Sequence, residues 1–275
     1  MSKAALGVLV CCVSSVLLFG HAPRLLASDL LADQPFDRCL DAASPLAAGK
    51  LEGSALLDVS ARGREGREAR SRARLSWMRS SRDTRVRLEM LAPADVAGSS
   101  LLLVEPLDSA AAEREVWAWL PEIRAARRIG GRHLASPLFG TNLRYADLER
   151  LSRLAGSGGP DAWSESEHAG RPVWKLLSRD GAETIVTWLD RESCMPLRSE
   201  LLDRKGRLSR WLELSFVAGP DSAATSVPRA LVVRDVVEGS ETRVGIESID
   251  EDGELRPIRF DPAFLGRELE VAATP

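Results

Sequence analysis

The feature that most constrains the fold of this chain is a two-residue alternation of apolar and polar side chains. It begins near residue 50 and recurs almost to the C-terminus, most clearly over residues 55–61, 73–77 and 86–90. Successive side chains of a β-strand point to opposite faces, so each run predicts a strand with one buried and one solvated face. Turns of hairpin length separate the runs, which favours antiparallel neighbours. We therefore predict a mainly β protein built on a curled antiparallel sheet, or unclosed half-barrel, of about eleven strands.

One stretch before this alternation and one interruption of it predict helices that cover the concave face of the sheet. Residues 30–48 carry apolar side chains at helical spacing. A second, lid-like helix is predicted at about 142–155, with Thr141 or Asn142 as its N-cap and Asp147 in its first turn. The apolar face of that second helix is formed by Leu148, Leu151 and Leu154.

The N-terminus predicts export. Residues 4–20 form an apolar run without charge, which is near the length of a signal peptide and short for a membrane span. Small residues follow, and we expect cleavage after Ala27, leaving residues 28–275 as a single domain. An uncleaved signal that anchors the chain to the inner membrane is the less favoured alternative.

The cysteines allow one disulfide in the exported part. Cys11 and Cys12 lie inside the predicted signal, whereas Cys39 and Cys194 remain after it. Two cysteines in an oxidising compartment suggest a bridge between them. Two separate buried thiols are an equally open alternative.

No constellation of residues predicts catalysis. The chain lacks a Gly-x-Ser-x-Gly elbow, a His-Glu-x-x-His motif and a phosphate-binding glycine loop. His133 and His168 have no spacing typical of metal ligands, so we predict neither a metal, nor a cofactor, nor an enzyme. The formal net charge of −3, with 28% charged residues of both signs, argues against a nucleic-acid partner.

Several motifs resemble one protein family. Residues 90–103 read MLAPADVAGSSLLL, residues 115–128 read EVWAWLPEIRAARR, and residues 139–148 read FGTNLRYADL. The first is similar to a family segment with Pro, Asp and Gly, the second to a tryptophan-rich strand followed by two arginines, and the third to a central Gly-(Ser/Thr)-Asp-Phe-x-Tyr-x-Asp-Leu motif. Over residues 50–265 the chain resembles the LolA-like outer-membrane lipoprotein-sorting proteins.

This resemblance implies an unclosed β-barrel with a helical lid and an apolar concave surface. It also implies a periplasmic carrier of lipoprotein acyl chains or other lipid-like cargo. Its partners would be an inner-membrane transporter that loads it and an outer-membrane acceptor. The chain departs from the family at Asn142, where Asp is usual, and at Leu143, where Phe is usual. Asn still caps helices, so a structural role survives, whereas a role that needs the carboxylate would not.

The candidate site has two parts. Seven tryptophans against one tyrosine suggest rigid rings lining an apolar cavity, although ordinary core packing explains single tryptophans as well. We predict that this cavity is lined by Trp77, Leu88, Met90, Leu101, Leu103, Trp117, Trp119 and Trp188. The predicted lid and its latch consist of Phe139, Asn142, Tyr145, Asp147 and Leu148, with Arg127 and Arg128 of the preceding strand placed to hold Asp147.

These observations favour a carrier that transfers a lipid-like ligand toward the outer membrane. A ligand-sensing or accessory module of an envelope export pump or signalling system is the alternative, because the same curled sheet suits both.

Overall fold

The computed structural model describes residues 34–36, 39, 52–107, 114–147, 160–216, 228–250 and 253–266. The chain divides into two compact units, Met1–Pro35 and Phe36–Pro275, and every described strand lies in the second. The strands are β1 (Glu52–Arg62), β2 (Glu68–Arg79), β3 (Asp83–Ala92), β4 (Ser100–Pro106), β5 (Glu115–Leu120), β6 (Ala125–Ile129), β7 (Ala162–His168), β8 (Arg171–Asp180), β9 (Glu183–Asp190), β10 (Pro196–Leu202), β11 (Leu208–Phe216), β12 (Pro228–Asp235) and β13 (Ser240–Asp250).

All described strands belong to one antiparallel sheet in the order β6-β5-β4-β3-β2-β1-β13-β12-β11-β10-β9-β8-β7. Strands that are consecutive in sequence are paired in space, except β6 and β7, and the pairing of β1 with β13 joins the two halves. The sheet does not close, because β6 and β7 stand at its two ends. The prediction of a mainly β, unclosed antiparallel sheet is confirmed, with thirteen strands in the described residues instead of about eleven.

Strand β7 is one that the alternation did not reveal. It pairs only with β8, and six of its seven residues are exposed. A strand that buries neither face carries no period-2 apolar pattern, so its sequence, AWSESEH, gives no signal.

One face of the sheet, which we call the core face, carries the principal hydrophobic cluster. Alternate residues of β1 to β5 and of β10 to β12 point to it, because directly opposed residues in the ladder share a face. Its buried strand residues are Ala55, Leu57, Val59, Ala73, Trp77, Val86, Met90, Leu101, Leu103, Val116, Ala118, Leu201, Leu212 and Val233.

The opposite face, which we call the outer face, is covered along β3 to β6 by residues 253–266. This C-terminal segment contains two 3₁₀ helices, Pro257–Phe260 and Pro262–Phe264. Phe260 and Leu265 are buried against Leu102. The segment also packs tightly, because a Cβ added to Gly266, whose φ is +78°, would lie only 1.9 Å from the Trp119 ring.

The predicted helices fall largely outside the described residues. Of the predicted helix 30–48, only residues 34–36 and 39 are described, and the predicted signal 1–27 lies wholly outside. Residues 145–147 are helical, and the rest of the predicted lid helix, including Leu148, lies outside the described residues. Within the described residues, no helix has the length and apolar character needed to cross a membrane.

Gly53 supports the packing of Trp77, its direct neighbour on β2. A Cβ on Gly53 would lie 2.4 Å from Cζ2 of that ring. We therefore expect Gly53→Ala to lower the free energy of unfolding by about 1–3 kcal/mol through overpacking. Chemical denaturation measures this loss.

The matched control is Gly245→Ala, also within a strand, where an added Cβ meets only a backbone oxygen at 3.9 Å. The control should change the unfolding free energy by less than about 0.5 kcal/mol. Equal effects of the two substitutions would contradict the packing argument.

Candidate functional site

Residues 131–147 lie across the core face, and we call them the covering segment. Leu138 and Leu143 are buried in the principal cluster, and Leu134, Phe139 and Tyr145 pack against it. The segment therefore closes the apolar face by contributing side chains of its own.

A tight turn shapes the middle of the covering segment. The amide of Thr141 donates to the carbonyl of Leu138 at 2.8 Å, and the amide of Leu138 donates to the carbonyl of Leu143 at 2.7 Å. Phe139 and Gly140, the two central residues, have φ values of +43° and +77°. Positive φ at both central residues defines a type I′ turn, which explains the glycine of the Phe-Gly-Thr motif. The strain at Phe139 is tolerated because its ring packs on the core.

A buried ion cluster, which we call the latch, fixes the end of the covering segment. Arg210 of β11 donates through Nε to Oδ1 of Asp147 at 3.0 Å and forms a second bond to the same carboxylate. It also lies 3.2 Å from Asp235 of β12 and donates to the carbonyl of Asn142. Arg210, Asp147 and Asp235 are 1%, 0% and 4% exposed. Arg144 adds a partly exposed bond to Asp235 at 2.8 Å.

Asp147 also stabilises the start of the helical residues 145–147, to which it belongs. Its Oδ2 accepts the backbone amide of Arg144 at 2.8 Å, while the Asp147 amide donates to the Arg144 carbonyl at 3.0 Å. This is the third-residue half of a capping box, with Arg144 at the N-cap. The predicted caps Thr141 and Asn142 were therefore wrong, because both side chains serve the turn and the sheet.

Asn142 ties the covering segment to the last hairpin. Its amide Nδ2 donates to the Val233 carbonyl at 3.4 Å and to Ser240 Oγ at 3.2 Å, and its backbone amide donates to Thr242 Oγ1 at 3.0 Å. A carboxylate could not donate the two side-chain bonds, which gives a physical reason for Asn at this position of the motif. The side-chain oxygen is buried without a hydrogen-bond partner.

The structure divides the predicted cavity residues between the two faces. Trp77, Leu88, Met90, Leu101 and Leu103 lie together on the core face beneath the covering segment. The prediction was wrong for the other three, as the pairing registers show.

Trp117 and Trp119 point to the outer face and pack beside Phe260 and Leu265. The register pairs Leu102 with Trp117 and Leu101 with Ala118, so the core face receives Ala118 and Val116 instead. Trp188 likewise shares the outer face with its partners Lys175 and Arg198. The Lys175 ammonium lies 5.1 Å from the Trp188 ring centroid, a cation–π contact.

The predicted latch partners were also wrong. Arg127 and Arg128 are exposed on the edge strand β6, where Arg128 lies 3.8 Å from Glu115, whereas Asp147 is fully buried. Sequence reasoning missed Arg210 and Asp235. A signal existed, because Arg210 occupies the apolar phase of a strand that continues through Leu212 and Leu214.

Tyr145 is half-buried against the core cluster, next to the latch. Burial raises the pKa of its phenol, since an apolar surrounding disfavours the charged phenolate. It is the only tyrosine in the chain.

A disulfide joins Cys39 to Cys194 at the other end of the sheet. Beside it, Phe36 and Trp174 contact Trp163 edge-on, with centroids 5.6 Å and 5.5 Å away. This second apolar cluster combines Phe36 and Cys39 with residues of β8 and β9 and is separate from the principal one.

The described residues contain no group of three or more His, Cys, Asp or Glu side chains able to hold a metal ion. What the site offers chemically is an apolar sheet face, an apolar cover formed by the covering segment and one buried ion cluster.

The chain is similar to one protein family and to several solved structures. A family model described as "Uncharacterized protein" matches residues 82–267, more than half of the chain. No curated protein matches the chain in sequence.

Solved structures share the fold at low identity. A Desulfovibrio piger protein of the DUF1329 family aligns with a TM-score of 0.67 and 19% identity, over 85% of this chain and 100% of its own. A Vibrio parahaemolyticus domain, assigned as an outer membrane lipoprotein-sorting protein, aligns with a TM-score of 0.64 and 18% identity, over 82% of this chain and 98% of its own. A LolA superfamily protein of Nitrosomonas europaea aligns with a TM-score of 0.60 and 14% identity, over 83% of this chain and 98% of its own. The chain belongs to the family that the matching model defines, and its fold is that of the LolA-like lipoprotein-sorting domains.

Proposed function

We propose that this protein is a periplasmic carrier that binds an acyl chain of a lipoprotein, or another lipid-like ligand, on its core face. The observation that carries the proposal is an apolar sheet face closed by a separate segment and held by a discrete ion cluster. An inner-membrane transporter that loads the protein and an outer-membrane acceptor that unloads it are the partners such a carrier needs.

The apolar side chains of the covering segment act as placeholders for the ligand. Leu138 and Leu143 bury their side chains on the same strand residues that an acyl chain would contact. Binding of an acyl chain gains roughly 0.8 kcal/mol of free energy for each CH₂ removed from water. The apolar side chains that it displaces lose burial free energy on the same scale. The free energy gained when the ligand binds is thus close to the free energy lost when the covering segment leaves. Small differences in free energy decide which of the two occupies the core face.

The latch supplies such a difference. Apolar contacts are non-directional, so leucines alone would let the covering segment slide. The Arg210–Asp147 pair has one geometry, and when it separates both ions are left in an apolar site. The latch therefore gives the carrier two distinct states, one covered and one open.

Ligand content is the direct test. Protein purified from its own periplasm should carry acyl-containing species in native mass spectrometry, and organic extraction should release them. An unrelated periplasmic protein prepared in parallel controls for adhering lipid. Protein that has only its own mass, with no lipid above this control, would exclude the carrier function.

Arg210→Met tests the latch by stability. The substitution keeps an unbranched apolar stem but leaves Asp147 and Asp235 buried without their shared cation. We expect the free energy of unfolding to fall by about 3–5 kcal/mol. The control Arg204→Met, at an exposed turn, should change it by less than about 0.5 kcal/mol. A similar small change in both variants would show that the cluster does not hold the covering segment.

Tyr145 reports the position of the covering segment. Because its folded-state pKa is raised, its contribution to stability is present below the usual tyrosine range and is lost as pH rises through the raised pKa. In Asp147→Asn the weakened latch should admit water, and the Tyr145 pKa should fall back toward the usual value. Absorbance of the single tyrosinate measures this shift. The control Asp95→Asn, at an exposed turn, should leave the Tyr145 pKa unchanged, and an unchanged pKa in both variants would argue against movement.

A further inference from the structure

The two arginines that do not hold Asp147 belong to a larger basic edge. Residues 124–132 contain Arg124, Arg127, Arg128 and Arg132, all exposed, and no acidic residue. Lysine and arginine together make up 37 of 275 residues in the whole chain, about one in seven, against four of nine here. We call residues 123–132 the basic edge.

Ion pairing separates the basic edge from the other arginine-rich part of the sheet. In the β1–β2 hairpin, four of the seven arginines pair with a carboxylate among the described residues, as Arg62 does with Glu68 and Arg72 of β2 with Glu247 of β13. On the basic edge, Arg128 lies 3.8 Å from Glu115. Arg124, Arg127 and Arg132 form no ion pair with any residue that the structure describes. Their positive charges are therefore available to a binding partner outside the sheet.

The position of the basic edge suits an extended, flat partner. Strand β6 ends the sheet, and the β5–β6 turn beside it exposes Ile123, which is 45% accessible. Arginines with an isolated exposed apolar side chain match the headgroup layer of a bilayer, where cations meet phosphates and an apolar tip enters the interface. The covering segment begins at residue 131, directly after β6.

We propose that the basic edge docks this protein on an anionic phospholipid surface. Charge complementarity identifies the occupant, because the edge is positive on a chain whose formal net charge is −3. Docking there brings the start of the covering segment to the membrane from which a ligand would leave or into which it would pass. Membrane docking goes beyond the carrier function and stands or falls separately from it.

Sedimentation with vesicles tests the docking. Protein purified from the periplasm should bind vesicles of phosphatidylglycerol and phosphatidylcholine in equal parts, and should not bind phosphatidylcholine alone. Each arginine near an anionic surface strengthens partitioning roughly fivefold. The triple variant Arg124→Gln, Arg127→Gln and Arg132→Gln should therefore bind roughly 100-fold more weakly, and each single variant roughly fivefold.

Two further variants make the test specific. The control triple Arg64→Gln, Arg82→Gln and Arg204→Gln removes the same charge from exposed turns, and should bind within about twofold of the parent protein. Glu122→Gln removes the one acidic residue of the β5–β6 turn and should strengthen binding. Absence of vesicle binding by the parent protein overturns the proposal. An equal loss of vesicle binding in both triple variants overturns it as well. So does vesicle binding that changes neither with salt concentration nor with phosphatidylglycerol content. Bound acyl species in a protein that does not sediment would leave the carrier function intact and reject only the docking.

Discussion

A guanidinium buried on an apolar sheet face is the constraint on which the covering segment depends. Arg210 is 1% exposed, and burying an unpaired charge there would cost several kcal/mol. Two carboxylates and a backbone carbonyl remove that penalty, and two of these three groups come from the covering segment. The position of the segment is thereby fixed by ion geometry, whereas its leucines and Phe139 would accept many positions on the same face. Asp147 extends the constraint into the chain, because the carboxylate that holds Arg210 also caps the following helix at Arg144.

The two faces of the sheet are covered in physically different ways. On the outer face, Phe260 and Leu265 are buried, and Arg85 and Arg87 donate to the carbonyls of Phe260 and Arg259 at 3.2 Å. Contact with Trp119 at Gly266 leaves no room for a side chain. That cover has no single polar group whose loss would release it. The core-face cover is different, since its polar anchoring converges on Arg210 and Asn142. The cover whose polar anchoring is concentrated in a few groups is therefore the one on the core face, where the apolar strand residues are also most continuous.

The sequence predicts the sheet well and the faces less well, for a reason that single residues make clear. Where one phase of a strand is polar, as at Arg72 and Arg74 beside Ala73, alternation identifies the buried side. In β5 both phases are apolar, so Val116 and Trp117 compete for the core, and only the pairing of Trp117 with Leu102 decides. The large tryptophan rings favoured the wrong face, because a bulky apolar residue is equally suited to the apolar cluster around Phe260 on the outer face. The latch shows a different limit. Arg210 on an apolar phase indicates a buried charge, but its partner Asp147 lies 63 residues away, and one sequence carries no record of that contact.

In the proposed carrier, the latch also restricts what kind of ligand can open the site. An acyl chain replaces the contacts of Leu138 and Leu143 but offers no acceptor to Arg210, so a purely apolar molecule leaves the cost of separating the ion pair uncompensated. Opening then requires a polar group that reaches the guanidinium, or water that enters beside Arg144, the partly exposed member of the cluster. A lipoprotein acyl chain is attached to amide and ester groups, and a phospholipid to a phosphate, whereas an alkane has none of these. On physical grounds, cargo with an apolar tail and a polar head therefore suits this face better than a wholly apolar molecule does.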